Sequence, residues 1–271
     1  MTNPINIAAV TGGGHGIGRA LCRRLAADGV QVAVIDLDGG AADAVAGALG
    51  ARSYTVDVGD DSAMAELIDK IEQDIGPIDL FISNAGVGFG DGEGGAASKA
   101  GGLNPIDDRW EASWRVNVMA HVFAARSLVP RMRARGGGYL VSIASAAGLL
   151  SQIGDAAYSA TKHAAVAFAE SLAITHGEEG IHVSVVCPQA VATRMIGFED
   201  DADEPASGFG GNDVDGILAP EVVADCIVDG VRNGQFLILP HPQVADYVRR
   251  KSDDRDRWIA GMQRFRRKLA D

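Results

Sequence analysis

Short apolar runs recur along the chain and alternate with segments whose apolar residues are spaced as on one face of a helix. Seven runs predict strands, at 5–10, 30–35, 53–58, 78–83, 139–144, 181–187 and 236–239. Helical spacing covers 19–28, 39–49, 61–75, 110–133, 220–233 and the residues after Tyr158 to about His176. The alternation predicts an α/β fold, a Rossmann-type doubly wound, mostly parallel seven-stranded sheet with helices on both faces.

The remaining segments do not fit this alternation. Residues 87–103 are rich in glycine and are predicted to form a flexible surface loop. Residues 193–212 are also polar and acidic but contain Met195, Ile196 and Phe198, so we predict a mobile lid over a ligand; a fixed surface loop pinned by these residues is the alternative. A charged helix from Gln243 to the end suits a surface or a neighbouring subunit. We therefore expect one domain, 1–271, with a helical extension at about 243–271.

Composition excludes several classes of function. The chain has 271 residues, and its 47% hydrophobic content is typical of a globular protein. A net charge of −12 argues against nucleic-acid or anionic membrane partners, which require a basic surface. No apolar run reaches the roughly 18 residues of a membrane span, and the N-terminus does not have the pattern of a signal sequence. The cysteines Cys22, Cys187 and Cys226 are predicted to be buried, reduced thiols without a disulfide or a metal, so we expect a cytoplasmic protein.

A glycine-rich turn follows the first predicted strand. From Thr11 to Gly18 the sequence is TGGGHGIG, which fits the spacing T-G-x-x-x-G-x-G, and a helical pattern follows it. A strand, a glycine turn and a helix bring bare backbone N–H groups and a helix N-terminus to one point, where they bind anions, most often phosphates. A plain glycine-rich turn is the alternative, and the flanking strand and helix make it the weaker one.

Asp36 closes the second predicted strand, about 20 residues after the glycine turn. A carboxylate there accepts hydrogen bonds from an adenosine ribose and repels a 2′-phosphate. No Lys or Arg follows it directly, which predicts NAD as the cofactor in preference to NADP. Asp36 could instead cap the helix at 39–49, and a cationic His15 could tolerate a phosphate.

Ser145, Tyr158 and Lys162 are the candidate catalytic side chains. Tyr158 and Lys162 are four residues apart on a predicted helix and therefore share one face, while Ser145 follows a buried strand. A nearby ammonium would lower the pKa of the phenol, which could then exchange a proton with an alcohol while the serine hydroxyl holds the carbonyl oxygen. A chance Tyr–Lys pair on an exposed helix is the alternative. Asn117, amid apolar residues, is either a satisfied core amide or holds a water in a proton path.

The motifs together resemble the short-chain dehydrogenase/reductase family in its single-domain form, over roughly residues 5–239. They are the glycine turn, Asn84-Ala85-Gly86, Ser145, and Tyr158 with Lys162, in this order. The resemblance implies that Tyr158 is the acid/base, that Lys162 lowers its pKa and binds the nicotinamide ribose, that Ser145 orients the substrate and that Asn117 supports a water. The implied cofactor-binding set is Gly12, Gly14, His15, Gly16, Ile17, Gly18, Asp36, Asp57, Val58, Asn84, Gly86, Tyr158, Lys162, Pro188, Val191 and Thr193.

Three features depart from the family pattern, all where a substrate or a partner is expected to lie. Gln189 stands where the family usually has glycine after the proline, the loop at 87–103 is long, and a helix follows the common core. The family implies an oxidoreductase that transfers a hydride between a nicotinamide cofactor and an alcohol or ketone. With the preference predicted from Asp36, this gives an NAD-dependent enzyme, and the residues near Ser145 and the lid favour an apolar secondary alcohol or ketone as substrate. A protein that senses NAD without catalysis, and an epimerase or dehydratase of the related extended family, are the alternatives.

We also expect a homodimer or homotetramer. The helix after Tyr158 is rich in alanine, and small side chains allow a close approach of helices. The family resemblance adds that this helix and the one at 110–133 often form a subunit interface.

Overall fold

The computed structural model describes residues 4–89, 108–199 and 215–270. It contains a sheet whose strands all run parallel in the order β3-β2-β1-β4-β5-β6-β7. The strands are β1 (Ile7–Thr11), β2 (Gln31–Asp36), β3 (Arg52–Thr55), β4 (Leu80–Ser83), β5 (Gly138–Ile143), β6 (Ile181–Val186) and β7 (Leu237–Ile238). The predicted fold is therefore confirmed, because the sheet has the predicted number of strands and helices cover both of its faces.

The helices cover the sheet in two layers. They are α1 (Gly16–Ala27), α2 (Gly39–Leu49), α3 (Asp61–Asp74), α4 (Asp108–Trp114), α5 (Ala120–Ala134), α6 (Ala147–Leu150), α7 (Ala156–His176), α8 (Pro220–Arg232), α9 (Gln243–Asp253) and α10 (Arg255–Ala270). Helices α1, α2 and α8 bury their apolar faces on one side of the sheet, and α3, α5 and α7 do so on the other. The central strands are thus buried on both faces, which explains why they form nearly unbroken apolar runs.

The strand order reverses between β1 and β4. In open α/β sheets, ligands bind beyond the carboxyl ends of the strands at such a reversal, because the connecting helices diverge to opposite faces there. The carboxyl ends of β1, β4 and β5 lead into the glycine turn, Asn84 and Ser145, respectively. The topology therefore brings the candidate residues to one crevice.

The helix predicted at 110–133 is not continuous. A π-helical turn, Arg115–Met119, separates α4 from α5, with the N–H of Ala120 bonded to the carbonyl of Arg115. Asn117 and Val118 are buried in this turn. Apolar spacing cannot reveal one extra residue in a turn, because the flanking helices keep their own periodicity; π turns of this kind occur frequently at functional sites.

The helix predicted from Gln243 to the end is also divided. Asp254 has extended backbone angles, φ −149° and ψ 97°, which end α9. Its carboxylate accepts a hydrogen bond from the N–H of Arg257 at 2.9 Å and so begins α10. Lys251 on α9 donates a hydrogen bond to the carbonyl of Leu149, which attaches α9 to α6 beside Ser145.

Several local expectations change in detail. Strand β3 ends at Thr55 and not at 58, so Asp57 and Val58 lie in the following loop. Cys22 and Cys187 are buried as predicted, but Cys226 is only half-buried. All three cysteines lie in the described ranges and are unpaired. In the part of the chain that the structure describes, no helix is long and apolar enough to cross a membrane.

The two predicted loops lie largely outside the described residues, at 90–103 and at 200–212. Of the predicted lid, the structure shows a short 3-10 helix, Arg194–Ile196, and Phe198 with only 4% of its surface exposed. Met195 remains half exposed. The buried Phe198 favours the alternative of a pinned segment for this first part.

Candidate active site

The glycine turn joins β1 to α1 and is shaped by close backbone packing. Gly12 and Gly16 have positive φ angles of 63° and 47°, which favour glycine. A Cβ on Gly18 would lie 2.0 Å from the carbonyl oxygen of Gly12, so the helix start rests directly on the turn. His15, at the N-cap position, makes no side-chain capping bond of its own. The positive end of α1 lies at the glycine turn, where a helix start favours an anion. Ile17 lies within the first turn of α1.

Asn84 and Thr11 hold the ends of β4 and β1 together. The side-chain amide of Asn84 donates to the carbonyls of Thr11, at 2.9 Å, and of Gly12, at 3.1 Å. The Thr11 hydroxyl accepts from the backbone N–H of Asn84 at 2.9 Å. Asn84, predicted to lie along the cofactor, thus supports the glycine turn. Thr11 was not among the predicted site residues, although its position at the end of the first strand, directly before the glycine turn, could have indicated this role.

Asp36 lies at the end of β2 with its carboxylate against the glycine turn. One carboxylate oxygen accepts from the N–H of Gly14 at 2.9 Å and the other from the N–H of Asp38 at 3.0 Å. The helix cap considered for Asp36 belongs instead to Asp38, whose side chain accepts from Ala41 at 3.0 Å and caps α2. The carboxylate of Asp36 therefore lies against the glycine turn at the carboxyl end of β2.

The segment after β6 packs onto the same turn. A Cβ on Gly16 would lie 2.8 Å from the Cγ2 of Thr193, so Thr193 covers that glycine closely. Arg194 reaches His15, with 3.1 Å between Nη1 and Nε2, and His15 lies 3.6 Å from a carboxylate oxygen of Asp38. Arg194 was not predicted, because 179 residues separate it from His15.

Other predicted cofactor residues have structural partners of their own. The carboxylate of Asp57 accepts from the N–H of Gly59 at 2.8 Å, and Val58 is buried in the core. The Pro188 carbonyl accepts from the N–H of Ala146 at 2.8 Å, which fixes the end of β6 beside Ser145. Val191 pairs with Leu218 in an isolated bridge.

The candidate catalytic side chains converge at the start of α7. Asp155 caps this helix by accepting from the N–H of Tyr158 at 2.8 Å, a role that the sequence analysis missed although an aspartate precedes the alanine-rich run. Lys162 Nζ lies 5.5 Å from the centre of the Tyr158 ring and donates to the Ile143 carbonyl at 3.1 Å. The Ser145 hydroxyl accepts from the N–H of Ala147 at 3.1 Å.

Two glycines allow the segment that follows β4 to lie close to this cluster. A Cβ on Gly86 would lie 3.3 Å from both Lys162 Nζ and the Asn117 side-chain oxygen. A Cβ on Gly88 would lie 3.2 Å from the Tyr158 ring. Residues 86–88 therefore form a thin wall along the catalytic cluster, and residues 84 and 85 before them contact Gly12 of the glycine turn.

The electrostatics of Tyr158 differ from the expectation. Burial raises the pKa of its phenol and the charge of Asp155 adds to this, while a hydrogen bond with Ser145 opposes it. Burial also lowers the pKa of Lys162 to about 8. Lys162 was expected to lower the pKa of Tyr158, but in the protein without a cofactor this pKa is raised. Lys162 is only 3% exposed and its ammonium donates to the Ile143 carbonyl, and the loss of hydration of the phenol dominates.

Asn117 is fully buried and its amide is engaged by the protein. Its nitrogen donates to the Val87 carbonyl at 2.9 Å and to the Thr161 hydroxyl at 3.1 Å, and its oxygen accepts from the N–H of Val87 at 2.9 Å. These bonds favour the satisfied core amide of the two interpretations. They also tie the residues after β4 to α7, and so fix the wall at 86–88 against Lys162.

His121 lies one turn after Asn117 and was not predicted as part of this region. Its Nδ1 is 3.1 Å from the hydroxyl of Ser142, and within the described residues its Nε2 has no hydrogen-bond partner. Burial lowers the pKa of His121 to about 3, and the charge of Lys162 adds to the effect. The imidazole is therefore neutral when folded near neutral pH.

We expect His121 to make the fold acid-sensitive. An unfolded histidine binds a proton below about pH 6.5, whereas the folded one stays neutral down to about 3. The contribution of the neutral His121 to the free energy of unfolding is therefore fully present above pH 6.5. It is lost as the pH decreases towards 3, by up to about 5 kcal/mol. Urea unfolding at a series of pH values should show this slope in the native chain and a reduced slope in His121→Gln. His182→Gln, which removes an exposed imidazole, is the control; equal slopes in all three proteins would contradict the prediction.

Gln189, which departs from the family pattern, is built into a polar network. Its side-chain nitrogen donates to Asp215 at 2.6 Å and its backbone N–H donates to Nδ1 of His241 at 3.2 Å. The Tyr247 hydroxyl on α9 donates to the same carboxylate at 3.0 Å. Gln189, which stands where the family usually has glycine, thus links the end of β6 to α9 of the C-terminal extension through Asp215.

The parallel sheet with a glycine turn at its switch point defines a protein of the Rossmann-type class. The family model described as short chain dehydrogenase matches residues 6–204. The chain belongs to this short-chain dehydrogenase/reductase family, as its motifs predicted. It is 33% identical over 261 residues to 1-deoxy-11-beta-hydroxypentalenate dehydrogenase of Streptomyces exfoliatus, covering 91% of this chain and 87% of that protein.

Two further comparisons agree with the family. Meso-2,3-butanediol dehydrogenase of Serratia marcescens is 32% identical over 194 residues, 70% of this chain and 72% of its own. The crystal structure of a short chain dehydrogenase/reductase from Burkholderia phymatum in complex with NAD superposes with a TM-score of 0.78 at 27% identity, covering 94% of this chain and 96% of that one. The chain is therefore an oxidoreductase of a family whose members include dehydrogenases that act on CH–OH groups.

Proposed function

We propose that the protein is an NAD-dependent dehydrogenase or reductase that transfers a hydride between the nicotinamide and a secondary alcohol or ketone. The observation that carries the proposal is the convergence of Ser145, Tyr158 and Lys162 at the carboxyl edge of the sheet, where the wall at 86–88 contacts their cluster and residues 84 and 85 before it contact the glycine turn. A phenol, a hydroxyl and a buried ammonium at one sheet edge are suited to move a proton to or from an alcohol oxygen.

The glycine turn fits a dinucleotide. The start of α1 presents its positive end to a pyrophosphate, and the two glycines with positive φ allow the backbone to approach it closely. Asp36 would accept hydrogen bonds from the adenosine ribose, and Lys162 would hold the nicotinamide ribose. The bound nicotinamide would supply or accept the hydride.

The side chains around the reacting carbon carry the proton chemistry. Ser145 would hold the substrate oxygen with its hydroxyl, and Tyr158 would donate the proton to that oxygen in reduction and accept it in oxidation. Because burial raises the pKa of Tyr158, the free enzyme holds the phenol in its protonated form, which is ready for reduction. Oxidation requires the phenolate, which the Ser145 hydrogen bond favours.

An apolar substrate fits the surroundings of Ser145. Ala147 is buried and Leu149 packs against the core directly after the serine, while Phe89, which follows the wall beside Tyr158, is 44% exposed. Met195 is half exposed on the segment after β6. Apolar side chains that remain open at a polar crevice favour a mainly apolar alcohol or ketone over a phosphorylated or acidic one.

The proposal is tested by a substrate screen. Purified protein is given NAD with secondary alcohols, or NADH with the matching ketones, and NADH absorbance is followed. Each series should include apolar, acidic and phosphorylated members of similar size. We expect turnover with apolar members that is lost in Ser145→Ala. Binding of NADH without turnover of any member would instead support a sensor of NAD.

The cofactor preference follows from Asp36. We expect a higher kcat/KM with NAD than with NADP, because a 2′-phosphate would meet this carboxylate. Asp36→Ala should lower the ratio of kcat/KM with NAD to kcat/KM with NADP by on the order of 10- to 100-fold. The substitution removes the repulsion between the carboxylate and the 2′-phosphate and releases the N–H groups of Gly14 and Asp38. Both cofactors are compared with one substrate at fixed ionic strength.

Asp43→Ala is the matched control for this test. It removes the same charge from α2, where the carboxylate of Asp43 accepts only from the Ser53 hydroxyl among the described contacts. The ratio should stay unchanged in this variant. Equal efficiency of the native enzyme with both cofactors would show that His15 and Arg194 outweigh Asp36.

A further inference from the structure

Helix α9 contacts the two segments that follow strands β5 and β6. Tyr247 and Lys251 are four residues apart and therefore lie on one face of this helix. The Tyr247 hydroxyl donates to Asp215 at 3.0 Å, and the other oxygen of this carboxylate accepts from Gln189, in the segment after β6, at 2.6 Å. Lys251 donates to the Leu149 carbonyl on α6, in the segment after β5. We call these contacts of Tyr247 and Lys251 the α9 link.

The Lys251 end of the α9 link reaches two helices of the catalytic cluster. The ammonium contacts the Leu149 carbonyl on α6 and lies 3.5 Å from Nε2 of His163 on α7. Nδ1 of His163 is 2.8 Å from the carbonyl of Ser159, so in the neutral ring Nδ1 donates to this carbonyl and Nε2 accepts from the ammonium. Lys251 therefore joins α6 to α7 at the residue that follows Lys162.

The position of α6 depends on such contacts, because this helix has only four residues and ends in a strained backbone. Ser151, at its end, has a φ angle of 85°, and no other non-glycine residue of the described ranges has a positive φ. Strain of this kind persists only where the surrounding structure holds it. A Cβ on Gly148 would lie 2.5 Å from the carbonyl oxygen of Lys162, so α6 rests directly on the backbone of that lysine.

The ammonium of Lys251 is an unfavourable choice for stability alone. Lys251 is only 9% exposed, and burial, together with the charge of Arg255, lowers the pKa of its ammonium. Within the described residues no carboxylate pairs with it, since its partners are a carbonyl and an imidazole. An apolar side chain of similar length would avoid the cost of burying a charge. The lysine is therefore better explained by the two groups that it holds in place.

We propose that Tyr247 and Lys251 are positioning residues of the active site. Through the α9 link they hold the segment that carries Ser145 and the segment that carries Gln189 at the spacing that hydride transfer requires. Both act through these segments and not on the substrate itself. The inference rests on the proposed function, because the step that it aligns is the proposed hydride transfer. The two contacts act in series, so the loss of either one releases the two segments from each other.

Lys251→Met is the first test, because methionine keeps a similar length and removes the donor. With the best substrate of the screen, kcat and kcat/KM should fall together by on the order of 10- to 100-fold, since a small misplacement of reacting groups has an effect of this size. NADH affinity and the unfolding midpoint in urea should not decrease, whereas a merely structural role would lower both. Lys251→Arg keeps a cationic donor and should recover part of the lost turnover.

Arg249→Met is the matched control. It removes a cation from the exposed face of the same helix, where Arg249 pairs with Asp246, and it should keep the native kcat. Tyr247→Phe cuts the other end of the α9 link and should also lower kcat. Because the contacts act in series, the double variant Tyr247→Phe/Lys251→Met should lose no more than the weaker of the two single variants.

Three results would overturn the proposal. They are an unchanged kcat in Lys251→Met, a loss of kcat in this variant that is accompanied by equal losses of stability and NADH affinity, and losses that multiply in the double variant. Each of these is measured relative to the native chain under the same conditions.

Hydrogen exchange in the presence of NADH separates this proposal from the proposed function, because it requires no turnover. Lys251→Met and Tyr247→Phe should each increase exchange at 147–152 and at 189–192, and should leave it unchanged at the glycine turn, 12–18. A native chain that turns over no alcohol or ketone would contradict the proposed function. Unchanged exchange at either segment in an active enzyme would overturn the α9 link alone.

Discussion

Tyr158→Phe is expected to lower kcat by about 10²- to 10⁴-fold. The substitution keeps the aromatic ring, on which the wall at 86–88 and Lys162 depend, and removes only the hydroxyl that we propose exchanges the proton. General acid–base catalysis contributes an effect of this size. The rate is measured with the best substrate of the screen, after a deuterated alcohol has shown that hydride transfer limits turnover.

Two controls make this result specific. NADH binding by Tyr158→Phe, followed by fluorescence, should stay close to that of the native chain, because the glycine turn and Asp36 are unchanged. Tyr54→Phe removes a hydroxyl that bonds to Asp74, away from the crevice, and should keep full turnover. Unchanged turnover in Tyr158→Phe under the same conditions would rule out the tyrosine as the proton donor.

Gly18→Ala is expected to destabilise the protein by about 3 kcal/mol or more and to weaken NADH binding strongly. The new Cβ would lie 2.0 Å from the Gly12 carbonyl oxygen and 2.6 Å from the side-chain nitrogen of Asn84. Overpacking usually costs about 1–3 kcal/mol, and a contact with backbone cannot be relieved by a side-chain rotation. Both the unfolding midpoint in urea and the affinity for NADH are measured.

Gly47→Ala provides the matched control. Gly47 lies on the exposed face of α2, and a Cβ there would meet no atom within 4 Å. Alanine is the better helix former, so this variant should gain about 0.5–1 kcal/mol and bind NADH normally. A Gly18→Ala protein with native stability and native affinity would show that the turn is looser than its packing indicates.

Local patterns predicted the fold because each element obeys its own period. Apolar runs located the strands, glycine spacing located the turn after β1, and the interval of four residues placed Tyr158 and Lys162 on one face. Such features depend on neighbours in the chain, so a sequence shows them directly. The order of the strands was not predicted, because right-handed connections limit the possible orders but do not select one in which β3 and β4 are separated by β2 and β1.

Details of helix geometry escaped the same patterns. The π turn at Arg115–Met119 and the break at Asp254 each involve one residue, and a hydrophobic period averages over such a change. For the same reason, the N-cap of α2 considered for Asp36 is in the structure Asp38, two residues later in the chain. Caps and breaks depend on which side-chain oxygen lies within hydrogen-bond distance of a particular N–H, and a small shift in position decides this.

The local sequence thus defined the class of fold, the family and the identity of the candidate catalytic trio. Only folding in three dimensions engaged Asn117 with Val87, brought Arg194 to His15 and joined Gln189 to Tyr247 through Asp215. These partners are far apart in the chain, so no local spacing relates them. The pKa of Tyr158 belongs to the same group. Proximity on a helix suggested that Lys162 lowers it, but burial raises it, because hydration is lost only when the whole crevice assembles.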